Sequence, residues 1–384
     1  MKELGIYVHI PFCKQKCNYC DFVSYCDKNE LVEQYIKALK QEIKNNSSKI
    51  KDSEISTIYI GGGTPSYINS QYIKEILETI KQNYNISKNV EITIEVNPGT
   101  VTKEKLTNYY ENGINRISIG LQSCNNNLLK MIGRIHTYEE FLDTYNLARE
   151  VGFKNINVDL MIGLPNQTLE DIKTSLEKII SLNPEHISVY SLIVEEGTPI
   201  EKKIEKGELK LPNEKIERKE YWLVKDTLEN FRYKHYEISN FAKKEYESKH
   251  NLNCWEQKEY FGFGASAHSY INGTRYSNTE SMEEYINQEM QNVQCEVGID
   301  GLHIVHEIQN EEEQKKEYIL LGLRKIDGIK ISKFKNKFGS NPIMEFRNEL
   351  NKLSQEKLIE IDLDNIKLTK KGIDLANIVW EEFV

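Results

Sequence analysis

Three cysteines near the start of the chain, Cys13, Cys17 and Cys20, are spaced C-x3-C-x2-C and directly follow an apolar run. A [4Fe-4S] cluster contains four irons and is normally held by four cysteines. Three thiolates would therefore leave one iron free to bind a substrate or a cofactor. The spacing therefore predicts a metal site with a chemical and not a structural role.

A zinc site is the alternative for the same three thiols. Zinc would need a fourth ligand, for which His9 or Asp21 would be candidates. Structural zinc sites usually pair two short knuckles of Cys or His. No second C-x2-C or H-x3-H follows at a plausible distance. The sequence therefore favours the iron-sulfur cluster over zinc.

Length and charge limit the classes of function. A chain of 384 residues predicts two or three domains with an ample core. The net charge of -9 argues against a general nucleic-acid-binding surface. No apolar run reaches about 18 residues, so no transmembrane helix is predicted. Cleavage of the first residues as a signal peptide would remove a part of the cysteine motif. The odd number of cysteines, seven, suits a reducing compartment, and we expect a cytoplasmic protein.

The elements that must position these cysteines alternate between short β-branched runs and amphipathic helical stretches, which is typical of parallel α/β structure. Two clear helical stretches are 30–44 and 138–151. The predicted strands are 5–10, 55–60, 90–95, 116–120, 156–160 and 186–191.

Polar signals fall where each predicted strand ends. The cysteine loop follows the first strand, a GGGTPS run at 61–66 follows the second, Glu95 ends the third, Gln122 follows the fourth, and Asp159 lies near the end of the fifth. In parallel α/β barrels the active site is built from loops at the carboxyl ends of the strands. Six units predict a partial, open barrel, although six strands would also permit a doubly wound sheet.

The loop formed by Tyr7, His9, Pro11, Phe12 and the three cysteines resembles the cluster loop of radical S-adenosylmethionine (SAM) enzymes. The similarity is to the branch that contains the HemW-like heme chaperones and the oxygen-independent coproporphyrinogen III oxidases. This resemblance implies an α/β fold with a partial (β/α)6 radical SAM barrel. It also implies a [4Fe-4S] cluster whose open iron is chelated by the amino and carboxyl groups of SAM.

The same resemblance implies a set of SAM contacts. Glycines in the GGGTPS run would let the backbone approach the ligand closely. An unpaired Asp159 within an apolar strand would cost several kcal/mol, and either a ribose or a neighbouring lysine would satisfy it. The residues expected to contact SAM are Tyr7, Gly62, Gly63, Thr64, Glu95, Gln122, Arg134 and Asp159.

Candidate heme ligands come from two further segments. The run HNLNCW at 250–255 resembles an HNxxYW motif implicated in heme binding, with Cys254 where tyrosine is usual. His250 and Cys254 could each be an axial ligand. Alternatively, His250 has a structural hydrogen-bonding role and Cys254 fills the pocket as an apolar group. His268 lies in a GxGxxAHS stretch, which is similar to one in the family, and is either a second pocket histidine or a residue that fixes the loop. An NAD-binding fingerprint there would need a preceding apolar strand. The polar run WEQKEYF precedes it instead, so the sequence does not favour NAD binding. His303 and His306 could pair as metal ligands if they lie on a helix.

The predicted domains are a radical SAM barrel at 1–245, a connecting segment at 246–300 and a C-terminal domain at 301–384. Three helical patterns and a hairpin turning near Asp364 predict a winged-helix-like α+β domain, which the family also has. Such domains often bind DNA, and a lysine-rich helix raises that idea. A solvated helix face explains the lysines more simply, and we expect no nucleic-acid partner.

Three functions fit these patterns. The first is a heme chaperone that loads heme onto acceptor hemoproteins such as membrane-associated cytochromes. The second is an oxygen-independent coproporphyrinogen III oxidase that uses a 5'-deoxyadenosyl radical. The third is another radical SAM enzyme acting on heme. Cleavage of SAM would require a reduced electron donor. The oxidases carry a longer segment before the cysteines and a C-x-C ending, whereas Asp21 and Phe22 follow Cys20 here. We therefore expect the chaperone.

Overall fold

The computed structural model of the chain describes residues 2–50, 52–290 and 303–384. Six parallel strands pair in chain order, each with the next, and confirm the six predicted strands. Each strand is as long as predicted or extends past the predicted ends. The six strands are β1 Lys2–Ile10, β2 Ser53–Gly62, β3 Asn85–Val96, β4 Arg116–Gln122, β5 Ile156–Ile162 and β6 His186–Ser191.

Helices connect these strands in the way that parallel pairing requires. Several begin at side-chain caps: Thr137 and Thr168 each form a capping box at the start of a helix. Two short 3-10 turns, Asn29–Leu31 and Ser47–Ile50, flank the first helix. The helices of this part are α1 Val32–Asn45, α2 Ser70–Asn83, α3 Lys103–Glu111, α4 Asn126–Met131, α5 Tyr138–Val151, α6 Leu169–Leu182, α7 Pro199–Glu205 and α8 Glu214–Asn230.

The two faces of the strands differ in chemistry because side chains alternate along a strand. One set, which includes Ile58, Ile94 and Val158, is fully buried in the apolar core that the helices cover. The other set includes Tyr59, Glu95 and Asp159, which line a cavity at the carboxyl ends of the strands. The barrel interior is therefore polar, unlike the apolar filling of a closed eight-stranded barrel.

Further strands extend the sheet on both sides. The twelve strands follow the order β12-β11-β10-β9-β1-β2-β3-β4-β5-β6-β8-β7. Strand β9 is parallel to β1, and the other added strands pair antiparallel. The added elements are β7 Lys234–Glu237, β8 Asn240–Ala242, α9 Lys249–Trp255, β9 Tyr260–Phe263, β10 His268–Ile271, β11 Thr274–Asn278, α10 Met282–Met290 and β12 His303–Ile308.

Two segments that were predicted differently form strands of this sheet. His303 and His306, considered as a pair on a helix, lie on strand β12 instead. Strands β9 to β11 come from the segment predicted as a connection at 246–300, and they join the large sheet. The three domain boundaries remain predictions.

The C-terminal part has the predicted helices and hairpin. A second core contains Phe334, Leu350, Leu353, Ile366 and Val379. Its three-stranded sheet has the order β13-β15-β14, which gives the winged-helix-like arrangement. Within the described residues, no helix is both long enough and apolar enough to cross a bilayer. The elements are α11 Glu311–Gly322, β13 Ile329–Lys330, α12 Ile331–Phe338, α13 Pro342–Glu345, α14 Arg347–Gln355, β14 Ile359–Ile361, β15 Asn365–Leu368, α15 Lys370–Asp374 and α16 Ala376–Glu381.

Candidate functional site

A cavity of about 420 Å³ opens at the carboxyl ends of the parallel strands. This is the edge at which the sequence placed its polar signals, and a ligand site there is expected for such folds. Except for Tyr7, every residue predicted to hold the cluster or SAM lines the cavity. These residues are Cys13, Cys17, Cys20, Gly62, Gly63, Thr64, Glu95, Gln122, Arg134 and Asp159.

The three predicted cluster ligands lie on the loop between β1 and α1 and are free thiols. Cys13 is buried, and its Sγ lies 3.4 Å from Thr64 Oγ1. Burial raises the pKa of the Cys13 thiol, and burial raises the pKa of Cys20 to about 11. Cationic iron would supply the positive charge that thiolates need in such a place.

The shape of the wall also fits an iron-sulfur cluster. A Cβ added at Gly63 would come within 3.0 Å of Cys13 Sγ and 2.9 Å of Phe12 O, so only glycine leaves room beside this thiol. No group of three or more His, Cys, Asp and Glu side chains among the described residues could hold one metal ion. In a [4Fe-4S] cluster the thiolates bind different irons and need to face one cavity, as the three cysteines do here.

The glycine loop after β2 is fixed from both sides. Gly63 N donates to Ile10 O over 2.9 Å, which ties the loop to the end of β1. Gly62 has a φ of 110°, which favours glycine, and its N–H donates to Glu95 Oε2 over 3.2 Å. Tyr59 OH donates to Glu95 Oε1 over 2.8 Å. Burial raises the pKa of Glu95 to about 7.

Arg134 connects the cluster loop to two strand ends. Its Nη2 donates to Asn97 Oδ1 over 2.6 Å and to Gly120 O over 2.7 Å, and its Nη1 lies 3.7 Å from Cys17 Sγ. Asn97 Nδ2 in turn donates to Thr64 Oγ1 over 2.9 Å. The half-buried guanidinium therefore places a positive charge beside a predicted cluster ligand.

Asp159 lies on the cavity wall and is held by neutral donors. Asn157 Nδ2 donates to Asp159 Oδ1 over 2.7 Å, and Ser118 Oγ donates to Oδ2 over 3.2 Å. Burial is the main reason why the pKa of Asp159 is raised, and the nearby Arg116 opposes that rise. Its protein partners are thus an amide and a hydroxyl in place of the lysine that the sequence allowed, and the contact with a ribose stays a prediction.

The amide of Asn157 is itself oriented by a buried histidine. His186 Nδ1 donates to Asn157 Oδ1 over 2.6 Å, and Tyr236 OH donates to His186 Nε2 over 2.8 Å. Tyr236 OH also accepts from Ser248 N, at the cap of α9. The carboxylate of Asp159 is therefore fixed by a chain of hydrogen bonds that crosses the barrel.

Tyr7 lies beside the site without lining the cavity. Its OH donates to His9 Nδ1 over 3.0 Å, because His9 Nε2 donates to Val23 O. The Tyr7 ring also stacks with Tyr59, with centroids 6.3 Å apart. Its predicted contact with SAM remains a prediction.

The three heme candidates occupy different surroundings. His250, on α9, is buried inside the barrel, where its Nδ1 is hydrogen-bonded to Thr57 Oγ1 at 3.0 Å and its ring stacks with Tyr59. Burial lowers the pKa of His250 to about 4. Cys254 lies one turn further along α9, and burial raises its pKa to about 11. His268 is exposed on β10.

Several cavity residues were not predicted as ligands. Asn97 carried a signal, since it stands directly before Pro98 at the end of β3. Tyr59 precedes the glycine run but resembles an ordinary strand residue. Tyr19, Ser118 and Tyr190 also line the cavity, and nothing in their local sequence indicates this.

Comparison with known proteins agrees with the fold. Residues 7–179 match the radical SAM superfamily, and residues 309–375 match the HemN C-terminal domain. The structure of coproporphyrinogen III oxidase (HemN) from Escherichia coli, a radical SAM enzyme, has a TM-score of 0.84. It is 24% identical, and the similarity covers 100% of this chain and 90% of that one, which shows the fold.

Sequence relatives identify the family. The heme chaperone HemW of Bacillus subtilis is 40% identical over 379 residues, covering 98% of both chains. The Lactococcus lactis HemW is 36% identical over 383 residues, covering 100% of this chain and 98% of the relative. The Escherichia coli HemW is 37% identical over 278 residues, or 71% of each chain. The chain therefore belongs to the HemW family of radical SAM proteins.

Proposed function

We propose that this protein is a heme chaperone that binds heme, a [4Fe-4S] cluster and SAM, and transfers heme to acceptor hemoproteins. The observation that carries the proposal is the alignment with relatives named heme chaperone HemW, which runs through 98% of this chain at 40% identity. The similarity to the coproporphyrinogen III oxidase of Escherichia coli, at 24% identity, supports a common fold only.

Membership of the radical SAM family implies the cluster and SAM as cofactors. We propose that Cys13, Cys17 and Cys20 hold the cluster. We propose that SAM lies in the adjoining cavity against residues 62–64, with Tyr7, Glu95, Gln122, Arg134 and Asp159 around it. A reduced cluster held there could supply an electron to SAM.

The residues of the chain would bind and orient SAM. Asp159, fixed by Asn157 and Ser118, presents a carboxylate that can accept hydrogen bonds from hydroxyl groups such as those of a ribose. Glu95 holds the glycine loop in place through Gly62 N. Because each of these carboxylates is already hydrogen-bonded to its own neighbours, little ordering is needed when the ligand binds.

The proposed partners follow from the carrier function. The acceptors are hemoproteins, and membrane-associated cytochromes are the class we propose. A reduced electron donor is needed only if SAM is cleaved. The proposed location is the cytoplasm, where unpaired thiols such as those of the cysteine loop persist. No nucleic-acid partner is proposed, given the net charge of -9.

An anaerobic assay tests the choice between chaperone and oxidase. The reconstituted full chain is incubated with SAM, a reductant and coproporphyrinogen III, and the same preparation is titrated with heme. We expect stoichiometric heme binding and no protoporphyrinogen. Formation of protoporphyrinogen together with 5'-deoxyadenosine would make the protein an oxidase and overturn the proposal.

A further inference from the structure

The histidines whose side chains the structure describes are of two kinds, buried and exposed. Five are buried, with 8% or less of the residue exposed, and each has at least one ring nitrogen in a hydrogen bond to a neighbouring residue. A buried imidazole cannot reach the iron of a ligand as large as heme unless the surrounding elements move apart. The five are His9, His136, His186, His235 and His250.

His268 and His306 differ from these five because both are exposed. Their rings lie side by side, with centroids 5.1 Å apart and planes inclined by 13°. His306 Nε2 is hydrogen-bonded to Ser277 Oγ at 2.8 Å, which fixes that ring. In the part of the chain that the structure describes, the ring nitrogens of His268 have no hydrogen-bond partner.

The strand register explains how two distant histidines meet. His268 on β10 lies opposite Ser277 on β11, and Ser277 lies opposite Ile304 on β12, so these three side chains share one face. Between the pairs Tyr276–Val305 and Arg275–Glu307, strand β12 has one residue more than β11. That extra residue is His306. Bulges of this kind re-aim a side chain and are enriched next to functional sites.

His306 is two residues after Ile304 on β12, so the alternation of side chains places it on the face that carries His268. An apolar side chain lies beside the pair. Ile304 is 47% exposed. A planar, largely apolar ligand could cover this isoleucine while an imidazole reaches its metal. Iron is among the metals that imidazole suits, and histidine is a common axial ligand of heme.

We propose that His268 is an axial ligand of the heme iron and that His306, fixed by Ser277, is a positioning residue that holds the His268 ring. This inference rests on the proposed function, since it names the place where the heme is bound. It assigns the iron to the exposed face of β10 to β12, which we call the histidine face and define by His268, Ser277, Ile304 and His306. His250 then keeps a structural role inside the barrel.

The test is a heme titration of the full chain followed by absorbance in the Soret region. His268→Ala is expected to shift the Soret band and weaken binding by at least about tenfold, the lower end of what loss of an outer-shell partner costs a metal site. Added imidazole should restore the wild-type band. Ser277→Ala should give a smaller loss of affinity with an unchanged band, because the axial nitrogen remains. Thr274→Ala, which removes a hydroxyl from the opposite face of β11, is the matched control and should behave as wild type.

The outcomes separate this inference from the function on which it rests. If wild-type protein binds heme and His268→Ala retains both its band and its affinity, the histidine face is not the iron site, and the chaperone function stands. If wild-type protein binds no heme stoichiometrically, the proposed function fails and the assignment of His268 fails with it. Equal iron-sulfur absorbance in all variants shows that each one has folded.

Discussion

The cavity at the strand ends and the histidine face differ in the burial and hydrogen bonding of their polar side chains. In the cavity and the barrel below it, polar groups are buried and hydrogen-bonded to one another, as Asn157 holds Asp159 and Thr57 holds His250. On the histidine face, His268 is exposed, and the neighbouring ring of His306 is hydrogen-bonded to Ser277. Buried networks fix geometry before a ligand arrives. An exposed imidazole can bind a large ligand and release it, which is what a carrier requires.

The largest effect is expected at the cluster loop. Replacing Cys13, Cys17 and Cys20 together with alanine should abolish the visible iron-sulfur absorbance after anaerobic reconstitution, because the proposed iron ligands are gone. Cys26→Ala, in the same loop, is the control and should reconstitute fully. A normal spectrum in the triple variant would remove the cluster from these residues.

Glu95, on the cavity wall, should make the stability of the apoprotein depend on pH. Its pKa is about 7 in the folded chain, against an ordinary value of 4.5. The folded state therefore binds more protons between these values, and the free energy of unfolding falls as the pH rises through this window, by about 3 kcal/mol in all. Glu95→Gln should lose this dependence.

Denaturant unfolding at pH 5 and pH 8 measures this effect. Glu104→Gln, at an exposed position, serves as the control and should show the same change in the free energy of unfolding between the two pH values as the wild type. If the free energy of unfolding changed equally with pH in the wild type and in Glu95→Gln, Glu95 would be ionised in the folded protein throughout this range.

Asp159 tests whether the buried network serves ligand binding. Asp159→Ala should weaken SAM binding by about 10- to 100-fold, since a hydrogen bond to a charged group contributes about 1.5–3 kcal/mol. Anaerobic calorimetric titration measures the affinity. The exposed Asp143→Ala is the control. Wild-type affinity in Asp159→Ala would mean that this carboxylate serves the fold alone.

The smallest effects compare the two kinds of histidine directly. His250→Ala should lower the free energy of unfolding by about 2 kcal/mol, because it leaves a cavity and an unpaired Thr57 hydroxyl. His268→Ala should change it by less than about 0.5 kcal/mol, as is usual at the surface. Chemical denaturation of the two variants side by side measures these changes. Equal losses in the free energy of unfolding would contradict the comparison.

Much of the fold followed from the sequence because its signals are local. The alternation of apolar runs with amphipathic stretches located all six parallel strands, and helix α5 begins and ends where the periodicity predicted. The carboxyl ends of parallel strands meet by geometry, so residues as distant as Cys13 and Asp159 could be expected in one cavity.

Register and burial could not be predicted in the same way. His303 and His306 were considered as a pair on a helix, but His306 lies on a strand, at a bulge, and its ring stacks on His268. A bulge leaves no residue pattern in a single sequence. His250 was a candidate heme ligand or a structural residue, and its burial against Tyr59 depends on how α9 packs onto the barrel.

Heme transfer tests the central claim most directly. Heme-loaded protein is mixed with the apo form of a b-type cytochrome at increasing acceptor concentrations, and the Soret change is followed in time. A carrier that hands heme over by contact should give a rate that rises with acceptor concentration. A rate that stays constant, set by release of heme into solution, would contradict the assignment of this protein as a heme chaperone.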